Sequence, residues 1–473
     1  MTRLAVFLVL GFNVFVGVYY LAVNFVYTSL LVIALVVVVR QMRRAKYSAA
    51  RDFSVSPETP PITVVIAAHN EQNSIRRTIE SALAMDYPQY EIIVVNDGSG
   101  DATLETLRNA YGLRKIDAVY RERLKTRAVR GLYHNPDIPN LVVADKEWGG
   151  KSDALNCGIN LSRSPYFCSI DADTILERDA LIRLATAVLE SNKPVMAAGG
   201  VVRVMNGVKL EGSSIAELDL PKNPLAMLQI VEYLRAFFFG RVGWDSLNSL
   251  LILSGTFSLF NKAAVIEVGG FSLGTVTEDM EIIVRMQRHY RLLRKPFTIR
   301  FISDPICWTE VPESLTMLGR QRRRWHMGLI QSLLRHRVML GNPRFGLLGL
   351  VSMPFYFFVE MLGPAVEVAG YGIVFASYLL GMLSFEFLLL FLTLAIFYGV
   401  MLSVLSIFLE EVTYRRYPKW GHLGRLFLYA AIENFGYRQL NSFWRVQAMI
   451  FYGKGKREWE YVQKGGSPDP GRK

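Results

Sequence analysis

The chain has 473 residues, of which 51% are hydrophobic and 20% charged, so it has room for one large or two ordinary domains. In a soluble protein its net charge of +12 would suggest a nucleic-acid partner, because clustered basic residues neutralise phosphates. Here much of that charge flanks apolar segments, so we expect membrane lipids and a phosphate-bearing substrate, and no nucleic acid. The three cysteines are unevenly spaced and lack nearby histidines, which favours reduced structural thiols.

The first predicted element is a membrane-spanning helix. Residues 4–39 carry no charged side chain, and about 20 apolar residues suffice to cross a bilayer. No cluster of Gly, Pro or Asn divides this segment near its middle, so we expect one long helix rather than a hairpin. It continues directly into Arg40, Arg43, Arg44 and Lys46, which indicates an anchor with a cytoplasmic basic flank rather than a cleaved signal.

An α/β pattern follows Pro60 and Pro61. Short runs rich in Val and Ile predict buried strands at residues 63–67, 91–96, 141–143 and 166–170. Helical spacing of apolar residues predicts helices at 74–85 and 177–190. We therefore expect a largely parallel sheet, with ligands outside the carboxyl ends of its strands. The basic residues 104–135 are predicted to form a loop-like insertion.

Acidic residues follow the predicted strands. Asp171 and Asp173, two apart at a strand end, point the same way, and a hard cation such as Mg²⁺ or Mn²⁺ would relieve their repulsion. Asp97 lies in Asn-Asp-Gly-Ser, which fits either a simple turn or a contact to a ribose or base. Gly149, Gly150 and Lys151 precede a predicted helix and suit an anionic ligand, although the spacing is not that of a P-loop.

A second group of polar residues lies further along the chain. Glu278 and Asp279 belong to a Thr-Glu-Asp triplet. Gln321, Arg324 and Trp325 follow at helical spacing i, i+3 and i+4, so an amide, a guanidinium and an indole share one helix face. For the intervening arginines, 322 and 323, contact with lipid headgroups is the simpler interpretation.

The second apolar block covers residues 347–409, where Glu360, Glu367 and Glu386 are the only charged residues. Its length predicts two spans with a short turn near Ser384. Glu360 and Glu367 share a helix face, and either a polar cavity or pairing with arginines would explain them. Residues 423–452 are apolar but interrupted by charges, which favours an amphipathic interfacial helix over a span.

These motifs carry a family resemblance. Asp97, the Asp-Ala-Asp triplet 171–173, Thr-Glu-Asp 277–279 and Gln-Arg-Arg-Arg-Trp 321–325, in this order, resemble the membrane-bound glycosyltransferase family 2 enzymes, which include cellulose, chitin, hyaluronan and poly-N-acetylglucosamine synthases. The resemblance implies an α/β, GT-A (Rossmann-like) cytoplasmic catalytic domain between transmembrane helices. It also implies inverting transfer from a UDP-sugar with Mg²⁺ or Mn²⁺.

The resemblance further implies a role for each matching residue. Asp279 would be the catalytic base. Donor binding would involve Glu71 and Asp97 at the uridine, Lys151 at the nucleotide side, Asp171 at the diphosphate, and Gln321 and Arg324 at the pyrophosphate. Asp171 and Asp173 would hold the metal, and Trp325 and Glu278 would contact the acceptor.

The expected layout has five parts. They are an N-terminal transmembrane helix with its basic flank (1–46), a GT-A domain (58–310), interfacial helices with Gln-x-x-Arg-Trp (311–346), two transmembrane helices (347–411) and a cytoplasmic amphipathic region (412–473).

We expect a bacterial-type inner (plasma) membrane protein with a cytoplasmic catalytic domain. The leading hypothesis is a processive synthase that elongates and translocates a β-linked polysaccharide; the alternative adds one sugar to a membrane lipid. A non-enzymatic receptor would predict degraded motifs, and none is degraded.

Overall fold

A computed structural model describes residues 3–45, 59–211, 214–414, 417 and 419–455. The chain divides into two compact units within these described ranges. The described residues of the helical unit fall within Met1–Arg43, Asp219–Ser249 and Glu313–Trp459, and those of the sheet unit within Arg44–Leu218 and Leu250–Pro312. Residues 219–249 fall inside the range expected for the catalytic domain and belong to the helical unit.

The sheet unit is built on a mixed sheet of ten strands in its described part, in the order β3-β4-β5-β2-β1-β6-β11-β8-β12-β7, beside a separate β9–β10 pair. The strands are β1 (Ile62–Ala68), β2 (Tyr90–Asp97), β3 (Arg114–Ile116), β4 (Val129–His134), β5 (Leu141–Lys146), β6 (Tyr166–Asp171), β7 (Thr174–Leu176), β8 (Val195–Val204), β9 (Lys209–Glu211), β10 (Ser214–Glu217), β11 (Phe257–Asn261) and β12 (Thr298–Thr309). Its helices are α2 (Ile75–Leu83), α3 (Thr103–Tyr111), α4 (Lys151–Leu161), α5 (Ala180–Leu189), α8 (Lys262–Glu267) and α9 (Glu278–Leu292).

The centre of the sheet is parallel, because β5, β2, β1 and β6 pair in parallel in that spatial order. The strand order reverses between β1 and β6. Both strands are mostly apolar and are buried along most of their length, as a parallel sheet covered by helices requires. A Cβ at Gly158 of α4 would lie 2.3 Å from Val65 Cγ1, so this glycine allows the helix to lie close to β1.

The four predicted strands and both predicted helices are confirmed, with the helices slightly shorter than expected. The α/β class expected of a GT-A domain is therefore confirmed. The prediction of a loop-like insertion at 104–135 is wrong, because α3, β3 and β4 form there. Leu107 and Tyr111 bury one face of α3, and β4 pairs antiparallel with β5 at the sheet edge.

The helical unit contains α1 (Arg3–Ala45), α6 (Pro224–Tyr233), α7 (Arg241–Ser246), α10 (Leu315–Arg335), α11 (Met353–Phe355), α12 (Gly363–Leu379), α13 (Phe385–Leu392), α14 (Tyr398–Tyr414), α15 (Trp420–Ile432) and α16 (Arg438–Gly453). Between them lie short 3₁₀ turns (Arg337–Met339, Pro343–Phe345) and π-helical stretches (Leu234–Gly240, Leu348–Ser352, Tyr356–Met361, Thr393–Phe397, Glu433–Tyr437).

Two helices in the described ranges are long and apolar enough to cross a membrane, Phe7–Arg40 and Phe385–Tyr414. A third apolar segment is bent by 46° between Leu348–Met361 and Gly363–Leu379, and could count as one broken span. The first of these is the single long N-terminal helix expected from the sequence, and the other two segments lie where two C-terminal spans are expected, whose number stays a prediction. Ser384, the expected turn position, caps α13 by accepting a hydrogen bond from Phe387 N–H.

Helix α16 pairs with the acidic residues of the bent segment. Arg445 Nη2 lies 3.1 Å from Glu360 Oε2, and Arg438 Nε lies 3.1 Å from Glu367 Oε1. Of the two explanations for these glutamates, the structure supports pairing with arginines. The predicted helix at 423–452 consists of α15 and α16, because Phe435 and Gly436 leave the helical conformation between them.

Candidate functional site

The candidate site of the sheet unit lies at the carboxyl edge of its parallel strands. In an open α/β sheet, ligands bind where the strand order reverses, which here is between β1 and β6. The tips of β1 and β2 are tied together, because His69 Nδ1 lies 2.7 Å from the backbone oxygen of Asp97 and Asn70 N–H donates to Ser99 Oγ. Asn70 adopts a left-handed conformation (φ 57°), which asparagine tolerates.

Asp97, at the end of β2, is buried, and both of its carboxylate oxygens accept hydrogen bonds. Its Oδ1 accepts from Lys146 Nζ (2.6 Å) and from the N–H of Gly149 (3.0 Å), while Oδ2 accepts from the N–H of Gly150 (2.7 Å). The carboxylate therefore fixes the glycine loop that leads into α4. The sequence allowed two interpretations of Asn-Asp-Gly-Ser, a simple turn or a nucleotide contact. The structure adds a third role, in which Asp97 holds the neighbouring glycine loop in place.

Lys146, at the end of β5, is a residue that the sequence analysis missed. Its side chain is 0% exposed, and its ammonium group lies 2.6 Å from both Asp97 Oδ1 and Asp153 Oδ2. Asp153 in turn accepts from the N–H of Arg127. A lysine directly after a run of buried strand residues was the available signal, since a buried ammonium requires carboxylate partners.

Lys151, the first residue of α4, connects the two acidic groups of the site. Its ammonium group lies 2.7 Å from Asp171 Oδ1 at the end of β6 and 2.8 Å from Glu278 Oε1 at the start of α9. All three side chains are at least partly buried. Burial alone would lower the pKa of Lys151, but the surrounding carboxylates outweigh it and hold that pKa above its usual value. Lys151 is therefore a permanent cation here.

Asp279 lies beside this lysine with its carboxylate fixed by the backbone. Oδ2 accepts from the N–H of Gly255 (3.0 Å) and Oδ1 from the N–H of Met280 (2.9 Å). Burial, and next the negative charge of Glu278, raise the pKa of Asp279 to about 6, against the lowering effect of Lys151. A carboxylate with a pKa near the working pH is suited to accept a proton.

Gly255 lies close to both Asp279 and Lys151. A Cβ at this position would lie 3.2 Å from both Asp279 Oδ2 and Lys151 Nζ. Any side chain would therefore press on both groups. The segment is also anchored to β6, since the N–H of Asp171 donates to Thr256 O (3.4 Å).

Two further predicted residues lie along the same edge. Asp173 follows Asp171 by two residues, between β6 and β7, and Glu71 follows β1, where its carboxylate accepts from Ser74 Oγ at the start of α2. No group of three or more His, Cys, Asp or Glu side chains within the described ranges could hold a metal ion. Mg²⁺ needs no such group, because one or two carboxylates and substrate phosphates supply its ligands. Asp171, whose Oδ1 accepts a hydrogen bond from Lys151 Nζ, and Asp173 are carboxylates of this kind, and their role as metal ligands stays a prediction.

The remaining predicted residues belong to the helical unit. Gln321 is buried on α10, whereas Arg324 and Trp325 are partly exposed. Arg322 is buried and lies over the Trp325 ring, 4.5 Å from its centroid, and its guanidinium pairs with Glu232 at 2.7 Å. Contact with lipid headgroups therefore does not explain Arg322. The structure brings Lys151, Asp171, Glu278 and Asp279 together in the sheet unit; Gln321, Arg324 and Trp325 share α10 in the helical unit.

Comparison with known proteins identifies relatives. Residues 63–269 match the family model described as Glycosyl transferase family 2. A poly-beta-1,6-N-acetyl-D-glucosamine synthase of Staphylococcus aureus (strain MSSA476) is 30% identical over 296 residues, covering 62% of this chain and 60% of that protein. The synthase of the same name from Staphylococcus epidermidis is 28% identical over 274 residues, covering 58% of this chain and 56% of that protein.

Among solved structures, the mannosyltransferase PcManGT from Pyrobaculum calidifontis, in complex with GDP-Man and Mn²⁺, is 19% identical with a TM-score of 0.49, covering 88% of this chain and 99% of its own. The chain spans about 60% of the length of the curated staphylococcal synthases described above. Residues 63–269 are therefore similar to glycosyl transferase family 2.

Proposed function

We propose that this enzyme transfers a sugar, with inversion and in a metal-dependent way, from a UDP-sugar to a growing β-linked polysaccharide and passes the product across the membrane. The similarity to poly-beta-1,6-N-acetyl-D-glucosamine synthases supports N-acetylglucosamine as the sugar. The apolar helices support a membrane location, and the basic residues after the first span favour a cytoplasmic catalytic domain. The bacterial origin of these relatives supports a bacterial-type plasma membrane.

The observation that carries the proposal is the environment of Asp279. Inversion by a single displacement needs one base, which accepts the proton of the attacking acceptor hydroxyl. As that oxygen bonds to the anomeric carbon, the bond from this carbon to the diphosphate oxygen breaks and UDP leaves with the electron pair. Asp279 is suited to the base role, because two backbone N–H groups orient its carboxylate and its pKa is raised to about 6.

The other residues bind the donor and the acceptor. Lys151 is placed to neutralise the diphosphate once donor binding displaces it from its carboxylates, since its ammonium stays charged. Asp171 and Asp173 would hold Mg²⁺ or Mn²⁺, which when bound stabilises the charge of the leaving diphosphate. Glu71 and Asp97 would serve the uridine side, with Asp97 also fixing the Gly149–Gly150 loop. Gln321 and Arg324 would contact the pyrophosphate, and Trp325 and Glu278 the acceptor.

A product assay separates this proposal from its alternative. The purified full chain in lipid nanodiscs would be incubated with Mn²⁺ and each of a panel of UDP-sugars, with UDP release and product length measured together. We expect UDP-N-acetylglucosamine to support UDP release and products of many sugars. A single sugar on a lipid would favour the non-processive alternative. No UDP release with any donor would contradict the proposal as a whole.

A further inference from the structure

The indole of Trp325 is covered on one face by a buried guanidinium. Arg322 lies one helical turn before Trp325 on α10, so the two side chains share a helix face. Its Cζ atom is 4.5 Å from the centre of the Trp325 ring, within the range of a cation–π contact. Arg322 is only 5% exposed, whereas Trp325 is partly exposed. One face of the ring is therefore covered by Arg322, while Trp325 as a whole keeps part of its surface exposed.

Arg322 is itself held by two side chains from other helical segments. Its Nη2 lies 2.7 Å from Glu232 Oε2 on α6, and the hydroxyl of Tyr437 donates to that same oxygen at 2.7 Å. Arg322 Nη2 also lies 3.4 Å from the Tyr437 hydroxyl. These contacts fix the guanidinium in one plane. A planar guanidinium held in this way can stack on an aromatic ring, which the compact ammonium of a lysine does less well.

The neighbouring basic residues of α10 do not share this arrangement. Arg323, the next residue, points Nη1 at Gln447 Oε1 (3.3 Å) on α16. His326 accepts a hydrogen bond at Nδ1 from Arg445 Nε (3.2 Å). Both contacts attach α10 to α16 without involving the Trp325 ring. Arg323 is therefore a matched control that differs from Arg322 by one position.

We propose that Arg322, Glu232 and Tyr437 are positioning residues that fix the indole of Trp325 as a stacking surface for the acceptor sugar. The inference rests on the acceptor role proposed above for Trp325, and extends it to three residues that need not touch substrate. A sugar ring stacks on an aromatic face only if that face is held at the correct angle. Arg322 would hold the ring, and Glu232 with Tyr437 would hold Arg322.

The test is an acceptor titration on the full chain in nanodiscs. A soluble, short β-1,6-linked N-acetylglucosamine oligosaccharide would be titrated at fixed UDP-N-acetylglucosamine and Mn²⁺, and UDP affinity would be measured by calorimetry. We expect Arg322→Gln to raise the acceptor KM about tenfold, with UDP affinity within about twofold of wild type. Arg322→Lys should recover part of the loss. Arg323→Gln removes the same charge and should leave the acceptor KM unchanged.

Glu232→Gln is a second variant that keeps the test decisive if Arg322→Gln folds poorly. Glu232→Gln should raise the acceptor KM in the same direction, and the double variant should be no worse than Arg322→Gln alone, because both act through one contact. The inference would be overturned if Glu232→Gln and Arg322→Gln both had the same acceptor KM as Arg323→Gln. Trp325→Ala distinguishes failure of the proposed acceptor role from failure of the positioning inference. If this variant leaves the acceptor KM unchanged, the acceptor role of Trp325 itself has failed.

Discussion

The ammonium group of Lys151 lies 2.7 Å from Asp171 Oδ1. This contact joins the first residue of α4 to the end of β6, at the point where the strand order reverses. A carboxylate that would hold a metal ion is thus already paired with a cation. Donor binding with a metal would give Asp171 a new partner and release the ammonium to the diphosphate.

We therefore expect Lys151→Met to weaken UDP binding. The side chain keeps its length but loses the charge, and a charge-assisted hydrogen bond contributes about 1.5–3 kcal/mol, or roughly 10- to 100-fold in affinity. Calorimetry with UDP and Mn²⁺ measures the change. Lys209→Met is the matched control, because Lys209 also lies 2.7 Å from a carboxylate, that of Glu217, but is largely exposed. Equal UDP affinity in the Lys151→Met variant and wild type would contradict the role given to Lys151.

Removal of the metal proposed to lie between Asp171 and Asp173 should strongly weaken donor binding. We expect EDTA to lower UDP affinity strongly in the wild type, and Asp173→Ala to lower it to a similar level with or without added Mn²⁺, since the metal loses one protein ligand. Binding of Mn²⁺ can be followed separately by the electron paramagnetic resonance signal of the free ion. If Asp173→Ala binds Mn²⁺ and UDP as tightly as wild type, the metal ligands are assigned wrongly.

The buried pairs of Lys146 predict a large effect on stability. Lys146→Met leaves Asp97 and Asp153 without their counter-charge in a region where both side chains are 3% exposed. Breaking a buried ion pair in this way costs about 3–5 kcal/mol. We expect a clear fall in the unfolding temperature of the purified protein. The exposed Lys209→Met variant should change stability by no more than about 0.5 kcal/mol, and a similarly small change for Lys146→Met would refute the prediction.

The raised pKa of Asp279 predicts a pH dependence of transfer. A general base acts in its deprotonated form, so activity should be lost as the pH falls through the pKa of about 6 and be constant above it. Initial rates of UDP release between pH 5 and 8, at subsaturating donor, would report the pKa of the free enzyme. A rate that stays flat down to pH 5 would disagree with Asp279 as the titrating base.

Much of the sheet unit was predictable from local sequence. Runs of Val and Ile bounded by polar residues defined β1, β2, β5 and β6, and the acidic residues directly after them defined one edge of the site. These features depend on neighbours in the chain. The structure of residues 104–135 was predicted wrongly because their many basic residues are typical of a loop. The apolar contacts that order this segment, such as those of Leu132, are made with distant strands.

Contacts between distant residues could not be predicted from one sequence. The pairs Asp97–Lys146 and Gly255–Asp279 join residues far apart in the chain, and spacing gives no sign of either. The same holds for Arg322 and Glu232, which meet only because α10 packs near α6. The sequence was enough to identify the motif residues, but not the partners that hold them. The roles of the motif residues stay predictions that only activity and binding measurements test.

The central claim is that Asp279 removes the acceptor proton while other residues bind the donor, and Asp279→Asn tests it most directly. The asparagine keeps the size of the side chain but cannot accept a proton. UDP affinity in the presence of Mn²⁺ should stay within about twofold of wild type, while the rate of UDP release from UDP-N-acetylglucosamine with acceptor should fall by about 10²- to 10⁴-fold. Normal turnover by Asp279→Asn, with donor affinity unchanged, would contradict the account.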